Sequence, residues 1–315
     1  MGSENNKKQS SKGQSPAMDK LSKIITNSFR KIRRLSFIIM SSLSPVLSTH
    51  LGYRARFHKR LNLKHPKTLN EKVLWLKLNT YRNNALVTQC VDKFKAREYV
   101  EACGYGHLLN HLLYTWDTVD KIDWSSLPNS FALKCNHGCG YNIICGDKNA
   151  FDESQVKKTL KKWMKEDYWR VFAEVQYKGI SKKILCEQHL SKNGHLPSDY
   201  KVYCFHGHPR FVLVCEEREK GLPRFYFFDS QWQFLPITRD GQNVGKDFTL
   251  NRPKSLQTML ECAATLSAPF PFVRVDFYDV DGKAVFGEMT FTPSAGMDTA
   301  RLPETDLMFG EMLKL

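Results

Sequence analysis

Phe272-Val-Arg-Val-Asp-Phe-Tyr278, then Asp279-Val-Asp-Gly282, then Ala284-Val-Phe-Gly-Glu-Met-Thr-Phe291 reads as strand, tight turn, strand. Side chains two apart on a strand share a face. Arg274 and Asp276 therefore point one way on the first strand, and Glu288 and Thr290 on the second. The turn brings the strands into register, so one sheet face gathers a guanidinium, two carboxylates and a hydroxyl. Carboxylate and hydroxyl oxygens are the hard ligands that Mg²⁺ takes. A neighbouring Arg stabilises negative charge growing on a phosphoryl group. Alternation alone fits a salt-bridged, solvated sheet face equally well.

Two upstream stretches bear on this hairpin. Phe131-Ala-Leu-Lys-Cys135 reads as a strand, followed by Asn136-His-Gly-Cys-Gly-Tyr-Asn142 and a second short strand at 143–145. Lys134 at a strand end, with Gly138 and Gly140 in the loop, can close over phosphates, because glycines let backbone N–H groups approach the oxygens. Lys183-Ile-Leu-Cys-Glu-Gln-His-Leu190 is an apolar strand that ends in an acid and leaves the sheet. Further strands are expected at 200–206, 210–216 and 224–229. Helices are expected at 69–79 (starting at Asn70-Glu71), 92–102 (capped by Asp92), 153–169 and 254–267. Strand runs joined by hairpins, with separate helices, predict an α+β fold with antiparallel sheets. The chain has no Walker A pattern and no G-x-G-x-x-G.

The chain has 315 residues with 42% hydrophobic and 25% charged, which excludes a fully disordered or multi-span membrane protein. Its net charge of +15 is uneven: residues 1–60 carry 13 Lys/Arg against 2 Asp/Glu, and residues 61–315 carry 34 against 30. The basic character belongs to the arm, and no nucleic-acid partner is expected of the body. Residues 1–20 are polar and read as disordered. The apolar run 35–47 holds four serines and Pro45, and is shorter than the about 20 residues a bilayer span needs. Residues 20–50 suit either a helix packed on the body or a peripheral contact with an anionic membrane. Nine cysteines, an odd number with several in apolar runs, suggest a reducing, cytoplasmic setting, with a position at the inner membrane face compatible with the arm. Cys135-Asn-His-Gly-Cys139 with Cys145 invites a zinc reading, yet no second Cys/His pair follows at finger spacing.

The order of the parts resembles the ATP-grasp superfamily. It runs Asp92-Lys93, Lys134 with its glycine loop, Glu187-Gln-His-Leu190, Arg274-x-Asp276, then Glu288-x-Thr290. The closing segment through Pro293-Ser-Ala-Gly-Met297 is similar to the metal-binding end of D-alanine–D-alanine-type ligases. His65-Pro-Lys-Thr-Leu-Asn-Glu-Lys72, Asp92–Val100, Leu133–Gly138, Asp199-Tyr-Lys201 and Gly287–Pro293 together resemble the TupA-like (teichuronopeptide-biosynthesis) ATP-grasp family. That resemblance implies a nucleotide held between a small lid subdomain (126–190) and a larger C-terminal subdomain (191–315). A helical substrate region (51–125) and the basic arm (1–50) would precede them.

It implies ATP and Mg²⁺ as cofactors and assigns roles. Lys93 and Lys134 would hold the phosphates, with Lys201 as a further contact, and Gly138 and Gly140 would let the lid close. Glu187 and the backbone of Gln188, His189 and Leu190 would receive adenine and ribose. Asp276, Glu288 and Thr290 would bind metal, and Arg274 would stabilise the moving γ-phosphoryl. Thr290 stands where most superfamily members carry Asn. The implied activity is carboxylate–amine ligation in surface-polysaccharide biosynthesis, on a uronic-acid-containing glycan or its precursor and an amino compound. The rival is a glycosyltransferase of the same pathways, whose Asp-x-Asp motif would be Asp279-Val-Asp281.

Overall fold

The computed structural model describes residues 32, 34–191, 196–217, 221–245 and 247–315. The stretch read as disordered, 1–20, and the start of the basic segment lie outside the described residues. Helix α1 (34–43) runs into α2 (Pro45–Phe57), whose first amides are met by the Ser44 hydroxyl. Helix α3 (Leu69–Leu78) opens one residue earlier than the sequence suggests. Thr68 rather than Asn70 is its cap, in a reciprocal box with Glu71. The helix expected at 92–102 starts later: α4 (Ala85–Val91) ends at Asp92, and α5 (Lys95–Ala102) begins after Phe94. Asp92 still serves the turn, since its Oδ1 accepts from the Phe94 and Lys95 amides.

Two antiparallel sheets carry the rest. The first has order β1-β4-β2-β3, with β1 (Leu112–Trp116), β2 (Phe131–Cys135), β3 (Asn142–Cys145) and β4 (Ile184–Gln188). Helix α6 (Glu153–Lys165) covers it and stops short of the expected residue 169. Asp167 breaks the run, and 168–170 is a separate 3₁₀ turn. Phe131, Leu133, Leu160 and Ile184 are fully buried between sheet and helix.

The second sheet has order β10-β9-β5-β6-β7-β8. Its strands are β5 (Asp199–Phe205), β6 (His208–Glu216), β7 (Arg224–Asp229), the short β8 (Phe234–Leu235), β9 (Phe272–Val280) and β10 (Lys283–Thr290). Between β8 and β9 come α7 (Arg239–Gln242) and α8 (Leu256–Ser267), and α9 (Pro303–Met312) closes the chain. The main core packs against this sheet and includes Tyr203, Phe205, Phe227, Phe272, Phe277, Met259 and Phe309. Sequence reading places all strands of this sheet except β8. It misses β1, α2, α4, α7 and α9.

Candidate active site

The closing hairpin forms as its alternation predicts. Val280 ends the first strand, and Asp281 and Gly282 take left-handed backbone with φ of 54° and 77°. That is the turn twist favoured between antiparallel strands. Asp279 Oδ1 accepts from the Gly282 amide, and Oδ2 accepts from the Ser255 hydroxyl. Thr290 pairs with Arg274 in register, and Glu288 with Asp276. A bulge between Phe286 and Glu288 sets this register. Gly287 occupies it because an added Cβ would meet the Asp276 carbonyl at 3.0 Å.

On that face the charges interlock. Arg274 makes a bidentate bond to Asp276, Nε and Nη2 each at 2.7 Å. Its Nη2 also reaches Thr290 Oγ1 at 3.3 Å, and Thr290 donates to Glu288 Oε1 at 3.3 Å. From the neighbouring β5, Lys201 donates to Asp276 (2.9 Å) and Asp199 (2.6 Å). Lys93, just before α5, lies 3.1 Å from Glu288 and donates to the Gly138 carbonyl at 2.9 Å. One ammonium thus joins Glu288 to the glycine loop. Burial alone would raise Glu288; Lys93, Arg274 and Lys201 outweigh it and hold the carboxyl at about 2. Burial raises Asp276 against the pull of Arg274 and Lys201.

The glycine loop lies over this cluster through specific packing. A Cβ on Gly138 would fall 2.7 Å from the Tyr168 ring, so no larger residue fits. The loop is fixed from below by Asn136, whose role the sequence does not disclose. Buried Asn136 donates from Nδ2 to Asp92 and to the Ser181 carbonyl, both at 2.9 Å, and accepts from the Lys183 amide at 2.7 Å. Its carbonyl accepts from the Lys93 amide at 3.2 Å.

Lys134 is turned to Glu187, with Nζ to Oε2 at 2.6 Å. Burial would lower this lysine, but Glu187 foremost keeps it above its ordinary value. Arg97 lies 3.9 Å from the other Glu187 oxygen. Beyond it the Gln188 amide donates to His111 O, and its carbonyl accepts from Asn110, both at 2.9 Å. Gln188 therefore has both backbone groups committed within the protein. His189 Nδ1 lies 3.3 Å from the Ser191 hydroxyl.

Three further groups were invisible in the sequence because no spacing announces them. Glu174, Tyr168 and Tyr177 wall the cluster. Glu174 is buried, accepts from Thr292, and is raised mainly by burial. Lys77, buried on the other side, donates to the Phe172 carbonyl at 2.9 Å and is lowered by burial to about 8.

A cavity of 620 Å³ opens between α1–α2 and the segment after β10, lined by Arg34, Phe37, Arg56, Phe172, Ser294 and Met297. Ser294 and Ala295 have left-handed backbone, φ 52° and 58°, uncommon for residues with a side chain. A larger cavity of 880 Å³ is lined by Arg82, Lys95, Trp169 and Lys178, and no member of the charged cluster touches it.

Among the described residues no group of three or more His, Cys, Asp and Glu is arranged as a metal cage. Cys135 and Cys145 are buried in the first sheet's core, whereas Cys139 is exposed. The cluster offers two adjacent carboxylates and one hydroxyl instead. That donor set fits Mg²⁺, which keeps waters and phosphate oxygens as its other ligands. Four cations (Lys93, Lys134, Lys201, Arg274) alternate with four carboxylates (Glu187, Asp199, Asp276, Glu288). A cation arriving with a polyanion can be taken up by exchanging partners, with no buried charge left alone.

Two sheets facing each other across such a cluster define the ATP-grasp fold. A family model described as TupA-like ATPgrasp matches residues 71–314, and the chain belongs to that family. Solved structures of similar fold include a Bacillus anthracis D-alanine–D-alanine ligase complexed with ATP. It shows 12% identity and a TM-score of 0.42, with 73% of this chain and 66% of that one covered. The ATP-grasp ligase PsnB shows 10% identity and a TM-score of 0.39, covering 78% and 66%. An N5-carboxyaminoimidazole synthase from Aspergillus clavatus shows 12% and 0.37, covering 65% and 45%. The chain thus spans no more than about two thirds of these proteins. No curated protein sequence matches the chain.

Proposed function

We propose that this chain is an ATP- and Mg²⁺-dependent carboxylate–amine ligase of the cytoplasm, acting in surface-polysaccharide biosynthesis. The observation that carries the reading is Lys93, which touches both the Gly138 carbonyl of the lid loop and Glu288 on the metal face. Lid, phosphate-binding lysine and metal carboxylates therefore converge on one point.

In this reading Asp276 and Glu288 would hold Mg²⁺, with Thr290 beside them, and Mg²⁺ would neutralise charge on the β- and γ-phosphates. Lys93, Lys134 and Lys201 exchange their carboxylate partners for phosphate oxygens. Glu187, His189 and Leu190 line the nucleoside end. A substrate carboxylate oxygen attacks the γ-phosphorus and the bond to ADP breaks, giving an acyl phosphate. Arg274 stabilises the transferring group. An amine nitrogen then attacks the acyl carbon, inorganic phosphate leaves, and the nitrogen gives up a proton as the amide forms. The lid over Gly138 and Gly140 keeps water from the acyl phosphate.

The acceptor side fits the 620 Å³ cavity, where Arg34 and Arg56 suit a carboxylate and Phe37, Phe172 and Met297 suit a sugar or carbon skeleton. A uronic-acid-bearing glycan or precursor, with an amino compound as co-substrate, meets those requirements. The glycosyltransferase reading is less favoured, since the Asp279 carboxylate is committed to the turn and to Ser255.

The test is a thermal-shift screen of the full chain followed by turnover. Mg·ATP is expected to raise Tm and UDP-sugars to leave it unchanged. Glu288→Gln is expected to cut ADP release by about 100-fold or more, the scale of removing a group that stabilises transition-state charge. Stabilisation by UDP-sugars without any by Mg·ATP sinks the proposal.

A further inference from the structure

Helices α1 and α2 turn a set of large apolar side chains outward while burying several hydroxyls. Their buried positions are Ser41, Ser48, Thr49 and Tyr53, with the Ser41 and Ser48 hydroxyls 2.8 Å apart. Their outer positions include Ile32 just ahead of α1, Leu35, Ile39 and Leu43 on α1, and Val46, Leu47 and Leu51 on α2, between 38% and 81% exposed, beside the exposed Arg34, Ser36, Ser42 and Arg54. Seven of the fifteen large exposed hydrophobics among the described residues fall within these twenty residues. Ile32 and the α1 residues recur at spacings of three, four and four, so they form one stripe. Helix α2 continues the outer surface as Leu47, Leu51 and Arg54. A helix pair facing water would carry the opposite pattern, and a contiguous apolar surface of this kind marks an interaction site.

The charge around the stripe selects the partner. From Lys20 to Asn70 the chain holds twelve Lys/Arg and no Asp or Glu. Arg54, Lys59 and Arg60 are exposed at the end of α2. A second copy would bring the same positive charge against itself, and a polyanion such as RNA would leave the leucines in water. An apolar stripe flanked by cations suits the headgroup and acyl boundary of an anionic bilayer. Among the described residues no helix is long and apolar enough to cross a membrane, so the contact is one of lying on the surface. The pair precedes residue 71, where the family match begins.

We infer that the α1–α2 hairpin docks this protein onto an anionic lipid surface through Leu35, Ile39, Leu47 and Leu51. The inner face of the same hairpin roofs the Arg34–Arg56 cavity, so docking sets that cavity beside the bilayer. Arg34 is tied at 2.7 Å to Glu166, which also accepts from Tyr141 of the glycine loop, so the hairpin is fastened to the lid as well.

The experiment is co-sedimentation of the full chain with vesicles of phosphatidylcholine and phosphatidylglycerol (7:3), and with phosphatidylcholine alone. Binding is expected only to the anionic vesicles and is expected to fall with salt. The double variant Ile39→Glu/Leu47→Glu is expected to bind about tenfold or more weakly. Both residues are exposed and touch neither the cavity nor the charged cluster, so circular dichroism and the Mg·ATP thermal shift should match wild type. The inference is overturned if wild type stays in the supernatant with anionic vesicles, or if the variant binds equally well. It is also overturned if wild type is a dimer that the variant splits, because the stripe then meets a second copy. Loss of Mg·ATP stabilisation in wild type would instead refute the ligase reading and leave the vesicle result standing.

Discussion

The two sheets differ in what holds them. The six-stranded sheet rests on an aromatic core in which Phe205, Phe227 and Phe272 surround Tyr203 and Phe309, with edge-on and tilted rings. The four-stranded sheet has a smaller core of its own around Leu133, Leu160 and Ile184. It meets the body through polar links: Lys93 to Gly138, Asn136 to Asp92, and Arg34 to Glu166. Apolar packing is non-directional and extensive, so it fixes the platform under Arg274, Asp276 and Glu288. Hydrogen bonds and ion pairs exchange readily with water and ligand, so in the proposed reading the smaller sheet would act as a lid whose attachments are remade on nucleotide binding. A rigid charged platform beneath a cover held by exchangeable contacts is what a water-excluding phosphoryl transfer requires.

The sharpest way to break this contrast is to empty equivalent places in the two cores. Phe272→Ala is expected to cost about 3–5 kcal/mol, measured by urea denaturation, with the whole fold affected. Leu160→Ala is expected to act locally. Amides of β2 and β3 should lose hydrogen-exchange protection while those of β5 and β6 keep theirs, and Mg·ATP should restore part of the loss. Equal loss of protection in both sheets would show one cooperative unit and no separable lid.

A smaller effect is expected from Asn136→Ala at the seam. The change strands the Lys183 amide and removes a donor from Asp92. An unsatisfied buried group costs about 1–3 kcal/mol. Because Asn136 positions Lys93 and the loop together, KM for ATP should rise more than kcat falls. A purely structural role would lower Tm and leave the KM-to-kcat pattern untouched.

This seam also marks the limit of what the sequence discloses. The closing hairpin was legible as strand, turn and strand because period-two alternation flanks a turn of Asp and Gly, but the turn's own register would set Gly287 opposite Asp276, and it is the bulge, which the alternation does not announce, that brings Glu288 there. Lys134 was singled out locally by its strand end and the glycines that follow, whereas Lys93 and Lys201 were singled out only through the order of motifs, since nothing local distinguishes them from solvated lysines. The pairing of Lys134 with Glu187 was not legible, because both strands read as plain apolar runs. Asn136 sits inside a quoted string, yet its partners come from Asp92, Ser181 and Lys183, and one-dimensional spacing carries no such information. Helix α2 was missed because its buried side mixes Ser48 and Thr49 with Tyr53 while Leu47 and Leu51 face outward, so no clear apolar periodicity marks it.

A last effect concerns pH and isolates the platform's electrostatics. Burial pushes the Glu288 carboxyl up, but Lys93, Arg274 and Lys201 pull it to about 2, below its ordinary value of 4.5. In the unfolded chain that pull is absent, so between these values the unfolded state binds more protons, and folding is favoured as pH rises. The stabilisation is complete above about pH 5 and fades as pH falls through the folded value near 2. Glu288→Gln cannot titrate. The stability gap between wild type and this variant, measured by urea denaturation from pH 3 to pH 7, is therefore expected to be constant above pH 5 and to narrow on acidification. Asp276 and the other carboxylates remain in both proteins, so their contributions largely cancel. A gap that stays flat across this range would mean that Lys93 does not neutralise Glu288 in solution, and the lid would then lack its link to the platform.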